Sequence, residues 1–258
     1  VQDYLFLTIK SPALLPSLKA MKPLIGKDTT IITCMNGIPH WYFHKLDNKY
    51  ANYKIKCLDP NLLIDTILPP DNIVGSVVYP ACEIVKPGTI KHIAGNRFSL
   101  GEPEGSESDR LKFISDILKR AGFRAPIQKN IRDEIWLKLI GNLSFNPISA
   151  LTGATLEQIC NDQGTEAIVR AMMTEAKIIA EELGAKINMS IEKRIEGARK
   201  VGAHKTSMLQ DIEAGKPIEI DSIIIAVKEL GELTCSPTPY IDTILNLTLQ
   251  KAKLIGCL

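Results

Sequence analysis

The chain has 258 residues, a length that can hold one large domain or two ordinary ones. Its content of 45% hydrophobic and 23% charged residues is ordinary for a soluble globular protein, and a net charge of +2 gives no argument for a nucleic-acid partner. No apolar run reaches the ~18 residues that a membrane span requires, so we expect no membrane partner either.

Two short apolar runs near the start predict neighbouring parallel strands. Residues 3–9 and 30–35 are nearly continuous in apolar side chains, as in strands buried on both faces, and residues 13–25 repeat apolar side chains at helical spacing. This order predicts a parallel sheet with a right-handed crossover. Because the chain begins with Val1 and enters a strand at once, we expect a piece of a longer chain.

Polar residues follow both predicted strands. Lys10 follows the first and Asn36 the second, and the ligands of open α/β sheets collect at the carboxyl ends of the strands. Asn36-Gly37 can also mark a hairpin, but the next segment lacks the alternation of a hairpin partner. We favour the ligand-binding interpretation. Residues 40–46 then have the pattern of another helix.

The pattern changes after residue 72. Short β-rich runs at residues 74–79, 82–85, 89–93 and 97–102 predict antiparallel additions to the sheet, and residues 106–122 predict a helix that stops at Gly122. From residue 130 onward strand patterns almost vanish, and helices are expected at residues 165–183, 191–208, 221–233 and 239–254. The predicted fold is therefore an α/β domain at residues 1–129 followed by a mostly helical domain at residues 130–258.

A row of polar residues marks the predicted helix at residues 134–147. Lys138, Asn142 and Asn146 are spaced by four, so they stack along one face among apolar neighbours. One interpretation is a snorkelling lysine with two capping amides; the other is a substrate-facing row with a proton donor at its head. Pro147 predicts a break or kink beside Asn146.

A hydroxyl and a carboxylate stand in unusual surroundings further along the chain. Ser207 precedes an apolar pair, and Glu219 lies between two isoleucines. They can be a helix-start serine and a solvated glutamate. Together with Lys138 and the two amides, they can also hold a small, oxygen-rich acid.

No metal site is predicted. His40 and His44 have the spacing of metal ligands on a helix, but no third ligand is evident, and two histidines on an ordinary helix are the better interpretation. The six cysteines are scattered without a Cys-x-x-Cys pair, and nothing resembles a signal peptide, so we expect a reduced, cytoplasmic setting.

Ten segments of the chain carry a resemblance to a known family. They are Thr8-Ile-Lys10, Met35-Asn-Gly-Ile38, Val77-Val-Tyr79, Glu83-Ile-Val-Lys-Pro-Gly88, Leu100-Gly-Glu-Pro-Glu-Gly105, Ile135-Trp-Leu-Lys-Leu139, Asn142, Asn146-Pro147, Ser207-Met-Leu-Gln-Asp211 and Glu219-Ile-Asp221. In their order and spacing, these segments resemble the 2-dehydropantoate 2-reductase (ketopantoate reductase) family over nearly the whole chain.

The resemblance implies an NADP-dependent reduction of 2-dehydropantoate to (R)-pantoate, a step towards pantothenate and coenzyme A, with NAD as an alternative cofactor. It implies a Rossmann-type nucleotide domain whose first βαβ unit, with its Gly-x-Gly-x-x-Gly motif, is absent from this sequence. Lys138 matches the general acid and Glu219 the carboxylate that anchors the substrate's hydroxyl. The remaining matches are Asn142, Asn146 and Ser207 for substrate binding, and Lys10 and Asn36 for the cofactor side.

Two further departures bear on specificity. Pro39 follows the Asn-Gly-Ile segment where the family often has glycine, and His204 stands where the best-known members carry a substrate-binding asparagine. A related 2-oxo-acid reductase with another substrate is therefore the second hypothesis, and a truncated relative that binds a small acid or a partner without catalysis is the third. The sequence does not fix the oligomeric state, although an exposed apolar face of the helical domain could support a homodimer.

Overall fold

The computed structural model describes all 258 residues and divides them into two compact units. Unit 1 comprises Val1–Lys54 and Leu62–Glu134, and unit 2 comprises Ile55–Asn61 and Ile135–Leu258. The predicted domains, residues 1–129 and 130–258, remain a prediction about which parts fold independently. The predicted fold class, a parallel-sheet α/β region followed by a mostly helical region, is confirmed.

The sheet of unit 1 has four strands in the order β1-β2-β3-β6. The first three strands are parallel, and the last is antiparallel to its neighbour. Leu7 of the first strand pairs with Thr33 of the second, so both strands end at the same edge. The strands are β1 (Tyr4–Leu7), β2 (Thr30–Thr33), β3 (Ile73–Val78) and β6 (Phe98–Gly101).

The prediction that the later β-rich runs all extend this sheet as antiparallel strands was wrong in two places. Strand β3 is parallel to β2, and only β6 joins the sheet antiparallel. Strands β4 (Ala81–Lys86) and β5 (Thr89–Ala94) form a separate two-stranded sheet. They pair with each other because Pro87-Gly88 makes a tight reversal, with Gly88 at a φ of 78°.

Helices and turns pack on the sheet and contribute side chains to the hydrophobic core. Helix α1 (Leu14–Met21) lies between two single 3-10 turns that contain Pro12 and Pro23, and α2 (Ile64–Ile67) is one turn long. Helix α3 (Asp109–Arg120) begins at the N-cap Ser108, whose side chain accepts a hydrogen bond from the Leu111 N–H. The core cluster that α3 closes contains Ile32, Val74, Leu100, Leu111, Ile114, Leu118 and Ala125.

The helix predicted at residues 40–46 is wrong. This segment is a series of turns, in which backbone N–H groups bond to carbonyls three residues earlier. Its aromatic side chains are buried, and the Trp41 indole donates a 3.1 Å hydrogen bond to Oγ1 of Thr33. The ring lies so close to Gly75 that a Cβ there would be 2.6 Å from it. The segment therefore folds as turns that bury the Trp41 ring, although its sequence has a helical pattern.

Unit 2 is helical, and α6 is the helix that the others pack around, since it contacts α5, α7, α9 and α10. Helix α4 begins with four residues that group with unit 1. The helices are α4 (Ile131–Thr152), α5 (Leu156–Asn161), α6 (Gln163–Glu182), α7 (Ile191–Val201), α8 (Ser207–Glu213), α9 (Ala226–Thr234) and α10 (Pro239–Ile255). None of them combines the length and the apolar character needed to cross a membrane.

Two predicted helix limits were wrong. Helix α4 continues for five residues beyond Pro147 instead of breaking there. Every residue from 143 to 150 is buried, and this packing outweighs the roughly 3 kcal/mol that an internal proline costs. The single helix predicted at residues 191–208 is two helices, because Gly202 adopts a φ of 81° after α7 and Thr206 caps a new helix, α8.

Two carboxylates, buried Glu175 and half-buried Glu229, connect segments of unit 2 that are far apart in sequence. Glu175 of α6 accepts hydrogen bonds from the backbone N–H groups of Tyr240 (2.9 Å) and Ile241 (3.0 Å), at the start of α10. Glu229 of α9 accepts them from Lys56 (2.7 Å) and Cys57 (2.9 Å). The second pair holds the segment Ile55–Asn61 within unit 2.

Candidate active site

The row of polar side chains lies on α4 as the spacing predicted. Lys138 and Asn142 are half-buried, and Asn146 is buried. Hydrogen bonds of Asn130 stabilise the start of α4. Its side chain accepts a hydrogen bond from the Arg132 N–H (3.2 Å) and donates one to the Asp133 carboxylate (2.7 Å). A well-capped and buried helix holds such a row at fixed spacing, which is what a binding site needs.

Asn146 has an unsatisfied polar atom. Its Nδ2 is buried and has no hydrogen-bond partner within the protein. A buried amide nitrogen without an acceptor costs roughly 1–3 kcal/mol, so such a group calls for a specific reason. A ligand oxygen would satisfy it. The interpretation of Asn146 as a capping amide is wrong, because the helix continues past it.

The sequence did not single out Arg194, which the structure brings against α4. Its guanidinium packs on Gly141, where a Cβ would lie 2.1 Å from Nη2 and 2.7 Å from Cζ. Gly141 is three residues after Lys138, so the arginine approaches α4 one turn along from the head of the row. The sequence feature that could have indicated this contact is Gly141, because a glycine inside a buried helix often marks a place where another part of the protein approaches the backbone closely.

Ser207 and Glu219 have contrasting surroundings. Ser207 is exposed at the first position of α8, directly after its N-cap Thr206. Glu219 is buried between Ile218 and Ile220, so the interpretation of a solvated glutamate is wrong. A carboxylate in an apolar interior has to be compensated by polar or charged partners. This makes Glu219 the more informative member of the pair.

The backbone next to Glu219 has an unusual form. Residues Asp221–Ile225 form a π-helical segment that continues into α9, and such wide turns occur frequently at functional sites. Burial raises the pKa of the Asp221 carboxyl, and the Ser222 hydroxyl is buried without a hydrogen-bond partner. Unsatisfied and desolvated polar groups therefore occur here as well as on α4.

In unit 1, Lys10 and Asn36 follow neighbouring strand ends. Each lies three residues beyond the paired residues Leu7 and Thr33. Lys10 is exposed in an extended conformation before a 3-10 turn, and Asn36 is half-buried before Gly37, whose φ of 87° suits glycine. This is the edge at which ligands of parallel sheets bind.

The two histidines considered as metal ligands have separate carboxylate neighbours. Nε2 of His40 is 3.9 Å from Asp65, and Nε2 of His44 is 3.2 Å from Asp71. The chain contains no group of three or more His, Cys, Asp or Glu side chains that could hold a metal ion.

Comparison with known proteins decides the family. Residues 1–105 match the family described as "Ketopantoate reductase PanE/ApbA", and residues 130–252 match "Ketopantoate reductase PanE/ApbA C terminal". The chain belongs to the ketopantoate reductase family.

Individual relatives agree with this assignment. The chain is 48% identical over 256 residues to the 2-dehydropantoate 2-reductase of Mesorhizobium japonicum, covering 99% of this chain and 78% of the relative. It is 26% identical over 175 residues to that of Archaeoglobus fulgidus, covering 68% of this chain and 59% of the relative. These alignments support an oxidoreductase family.

Solved structures share the fold. A candidate ketopantoate reductase from Ralstonia solanacearum MolK2 superposes with a TM-score of 0.95 at 39% identity, covering all of this chain and 78% of the other. A D-mandelate dehydrogenase bound to NADH and anilino(oxo)acetate has a TM-score of 0.82 at 21% identity, covering 98% of this chain and 77% of the other, and shows a likeness of fold alone.

Within this ketopantoate reductase family member, the predicted site residues form two groups. Lys138, Asn142 and Asn146 share one face of α4, and Lys10 and Asn36 share one sheet edge. Ser207 and Glu219 belong to unit 2, as the row does. The roles given to all seven residues remain predictions.

Proposed function

We propose that this protein is an NADPH-dependent 2-dehydropantoate 2-reductase that forms (R)-pantoate for pantothenate and coenzyme A biosynthesis. The observation that carries the proposal is the row Lys138, Asn142 and Asn146 on buried α4, in a chain 48% identical to a relative of that name. A cation and two amides suit a small acid that presents a carbonyl, a carboxylate and a hydroxyl oxygen.

Lys138 acts as the proton donor in this proposal. Its ammonium hydrogen-bonds the substrate's carbonyl oxygen and gives up a proton as that oxygen becomes an alkoxide. The positive charge also stabilises the developing negative charge before the proton moves.

The other side chains hold the substrate in position. Nδ2 of Asn146 donates to a substrate oxygen, which satisfies an atom that has no partner within the protein. Asn142 supplies a second amide on the same face, Ser207 donates to the substrate carboxylate, and Glu219 accepts a hydrogen bond from the substrate hydroxyl. Holding the substrate in the reactive orientation lowers the activation free energy of hydride transfer, because the entropy of positioning the reactants has already been lost on binding.

Lys10 and Asn36 are proposed for the cofactor side. A cation and an amide after two neighbouring parallel strands fit a dinucleotide, which carries phosphates and amides and binds at such edges. A reduced nicotinamide, when bound, supplies the hydride to the carbonyl carbon. The choice of NADP over NAD is part of the proposal.

The test is turnover of 2-dehydropantoate by the protein expressed from its whole gene, followed by the loss of NADPH absorbance, with NADH assayed in parallel. We expect Lys138→Ala to lower kcat by about 10²–10⁴-fold, the usual contribution of a general acid. The matched control is Lys200→Ala, an exposed lysine on α7, which should leave kcat unchanged. Normal turnover in Lys138→Ala would disprove the role of this lysine.

A second candidate function is reduction of another 2-oxo acid, favoured by His204 and Pro39 at positions where the family differs. The His204 side chain is exposed, and its carbonyl accepts the Leu156 N–H at 3.0 Å. A panel of 2-oxo acids assayed with both cofactors separates the two candidates. Absence of turnover with every pair would instead favour a relative that binds without catalysis.

The cytoplasmic location and the homodimer predicted from the sequence also remain proposals. One structural neighbour is described as a dimeric ketopantoate reductase from Staphylococcus aureus.

A further inference from the structure

A carboxylate precedes the proposed proton donor by one helical turn. Glu134 is four residues before Lys138 on α4, so it lies on nearly the same face, about 40° around the helix axis. The row of residues spaced by four on this helix therefore begins one turn earlier, with Glu134. Its side chain is 12% exposed, and the proposed substrate contacts do not involve it.

Three donors hold both oxygens of the Glu134 carboxylate. Nη2 of Arg97 donates to Oε1 at 2.8 Å. Oε2 accepts hydrogen bonds from the hydroxyls of Tyr79 (3.1 Å) and Ser99 (3.0 Å). The bond from the guanidinium is charge-assisted and therefore stronger than one between neutral groups. We call these four residues the Glu134 network.

The donors are also bonded to one another. Nε of Arg97 donates to the Ser99 hydroxyl at 2.8 Å, and its guanidinium lies over the Tyr79 ring, 5.5 Å from the ring centroid. The Tyr79 N–H donates to the Arg97 carbonyl at 2.9 Å, which continues the antiparallel pairing of β3 and β6 by one residue. A fully bonded network of this kind is rigid, so the Glu134 carboxylate has a fixed position.

The Glu134 network connects the first turn of α4 to the ligand edge of the sheet. Tyr79 directly follows β3, and the parallel pairing of β1, β2 and β3 places it at the edge that Lys10 and Asn36 share. The network thus reaches both the edge proposed for the cofactor and the turn that precedes the proposed proton donor. Hydride and proton are delivered to the same carbonyl group, so the groups that deliver them have to be aligned.

We propose that Glu134 is a positioning residue for Lys138, a role that rests on the proposed function of Lys138 as the proton donor. The network fixes the rotation of α4 about its axis one turn before the lysine. It thereby fixes the direction in which the Lys138 side chain leaves the helix. Arg132 anchors the same turn, but about 120° around the axis from Lys138, so Glu134 is the anchor on the lysine's own side.

Loss of this anchor should affect the near end of the row more than the far end. Residues 143–150 are all buried, so packing holds α4 around Asn146 without help from Glu134. We therefore expect proton delivery by Lys138 to become slower while substrate binding through Asn146 is kept. In kinetic terms kcat falls, whereas KM changes little.

The first test is steady-state turnover of 2-dehydropantoate with NADPH by the protein expressed from its whole gene. Glu134→Gln keeps the size of the side chain and removes its ion pair with Arg97. We expect kcat to fall about 10–100-fold, because a misplacement of about 1 Å can cost this much. Tyr79→Phe removes a single donor and should lower kcat less.

Glu102→Gln is the matched control for this test. Glu102 is also buried and also accepts hydrogen bonds from an arginine, Arg110, but it lies outside α4. The control should lower stability and leave kcat unchanged. A Glu134→Gln variant that loses stability as the control does, and keeps its kcat, would overturn the proposal.

The second test asks whether Glu134 acts through Lys138. If it does, Glu134→Gln should lower kcat no further in a Lys138→Ala background, because no proton donor is left to position. Equal losses in both backgrounds would overturn the positioning role. Normal turnover of Glu134→Gln beside an impaired Lys138→Ala would overturn this role alone and leave the proposed function intact.

Hydrogen exchange supplies a measurement that does not depend on turnover. Backbone N–H groups of residues 135–139 should exchange faster in Glu134→Gln than in wild type, since the turn before them has lost its anchor. In Glu102→Gln they should exchange at the wild-type rate. Unchanged exchange in Glu134→Gln would overturn the proposal even if the protein reduced another substrate.

Discussion

Arg132 and Asn146 lie on the same helix and are almost equally buried, at 4% and 5% exposed, yet their polar atoms are treated in opposite ways. Arg132 donates to three backbone carbonyls of unit 1, those of Tyr42 (2.7 Å), Pro103 (2.5 Å) and His44 (2.8 Å). Nδ2 of Asn146 in unit 2 donates to none within the protein. A buried polar group that is fully hydrogen-bonded within the protein stabilises the fold, whereas one without a protein partner is available to bind a ligand.

The same contrast extends beyond these two residues. In unit 1, Glu102 is buried and receives Nε (2.8 Å) and Nη2 (2.6 Å) of Arg110. In unit 2, the hydroxyls of Ser144 and Ser222 are buried without partners, as Asn146 Nδ2 is. Unit 1 is not free of such groups, since the Ser76 hydroxyl is one. The distinction therefore lies between individual buried groups and not between the two units, and variants of both kinds of group test it.

The largest expected effect is on stability. Arg132→Leu should lower the free energy of unfolding by about 3–5 kcal/mol, because up to three buried carbonyls lose their donor at roughly 1–3 kcal/mol each. Arg120→Leu, at an exposed arginine of α3, is the control and should change it by less than about 0.5 kcal/mol. Denaturant titration measures both. An Arg132→Leu variant as stable as its control would show that these three hydrogen bonds do not stabilise the fold.

Asn146→Ala should act on turnover instead. Loss of a donor that only the substrate satisfies should reduce kcat/KM about 10–100-fold, equivalent to roughly 1.4–2.8 kcal/mol. The unfolding free energy should fall less than in Arg132→Leu, because no protein hydrogen bond of Nδ2 is lost. Steady-state kinetics beside denaturant titration separate the two effects. A variant that loses stability and keeps its turnover would place Asn146 with the structural group.

Gly141→Ala tests the close approach of Arg194. A Cβ would overlap the guanidinium, which is the flexible end of a long side chain and can move, so we expect a loss of less than about 1 kcal/mol in unfolding free energy as Arg194 is displaced. Gly197→Ala on α7 is the matched control. A Cβ there meets nothing within 4 Å, and alanine should stabilise the helix by about 0.5–1 kcal/mol. Thermal or denaturant unfolding gives both values, and equal effects would contradict the crowding at Gly141.

The smallest effect concerns pH. Burial raises the pKa of Glu175 above its ordinary 4.5, although the N–H groups of Ile241 and Tyr240 oppose this. A pKa higher in the folded than in the unfolded state gives stability that is complete below the unfolded value and lost as pH rises through the folded one. Glu175→Gln should remove this decline. The unfolding free energy of the wild type minus that of the variant, measured from acid to neutral pH, should therefore decrease as pH rises.

Local signals predicted some elements well. Helix α10 was expected at residues 239–254 and ends one residue later, because Pro239 starts it and Gly256, at a φ of 69°, stops it. The row on α4 followed from spacing alone, since a helix of any length stacks residues four apart. The parallel pairing of strands β1 and β2 was predicted from two short apolar runs around a helix, but the burial expected for both strands holds for β2 alone, because β1 is mostly exposed.

Other features depend on residues far apart in sequence. The pattern of Pro147 predicts a helix end, yet burial on all sides carries α4 through it. The turns at residues 40–46 are held by Trp41 against Gly75 and Thr33, contacts that no local pattern contains. Arg194 was missed for the same reason, because its neighbour Gly141 is 53 residues earlier in the chain.

The hydrogen bonds from Lys56 and Cys57 to Glu229 have a consequence for synthesis of the chain. They join residues 173 and 172 positions apart. At the usual 5–20 residues per second, a ribosome needs roughly 10–35 s to make the intervening chain. During that time the segment Ile55–Asn61 has been made but its acceptor has not. Unit 1 can gather its own strands early, while unit 2 has to recover an early segment at the end of translation.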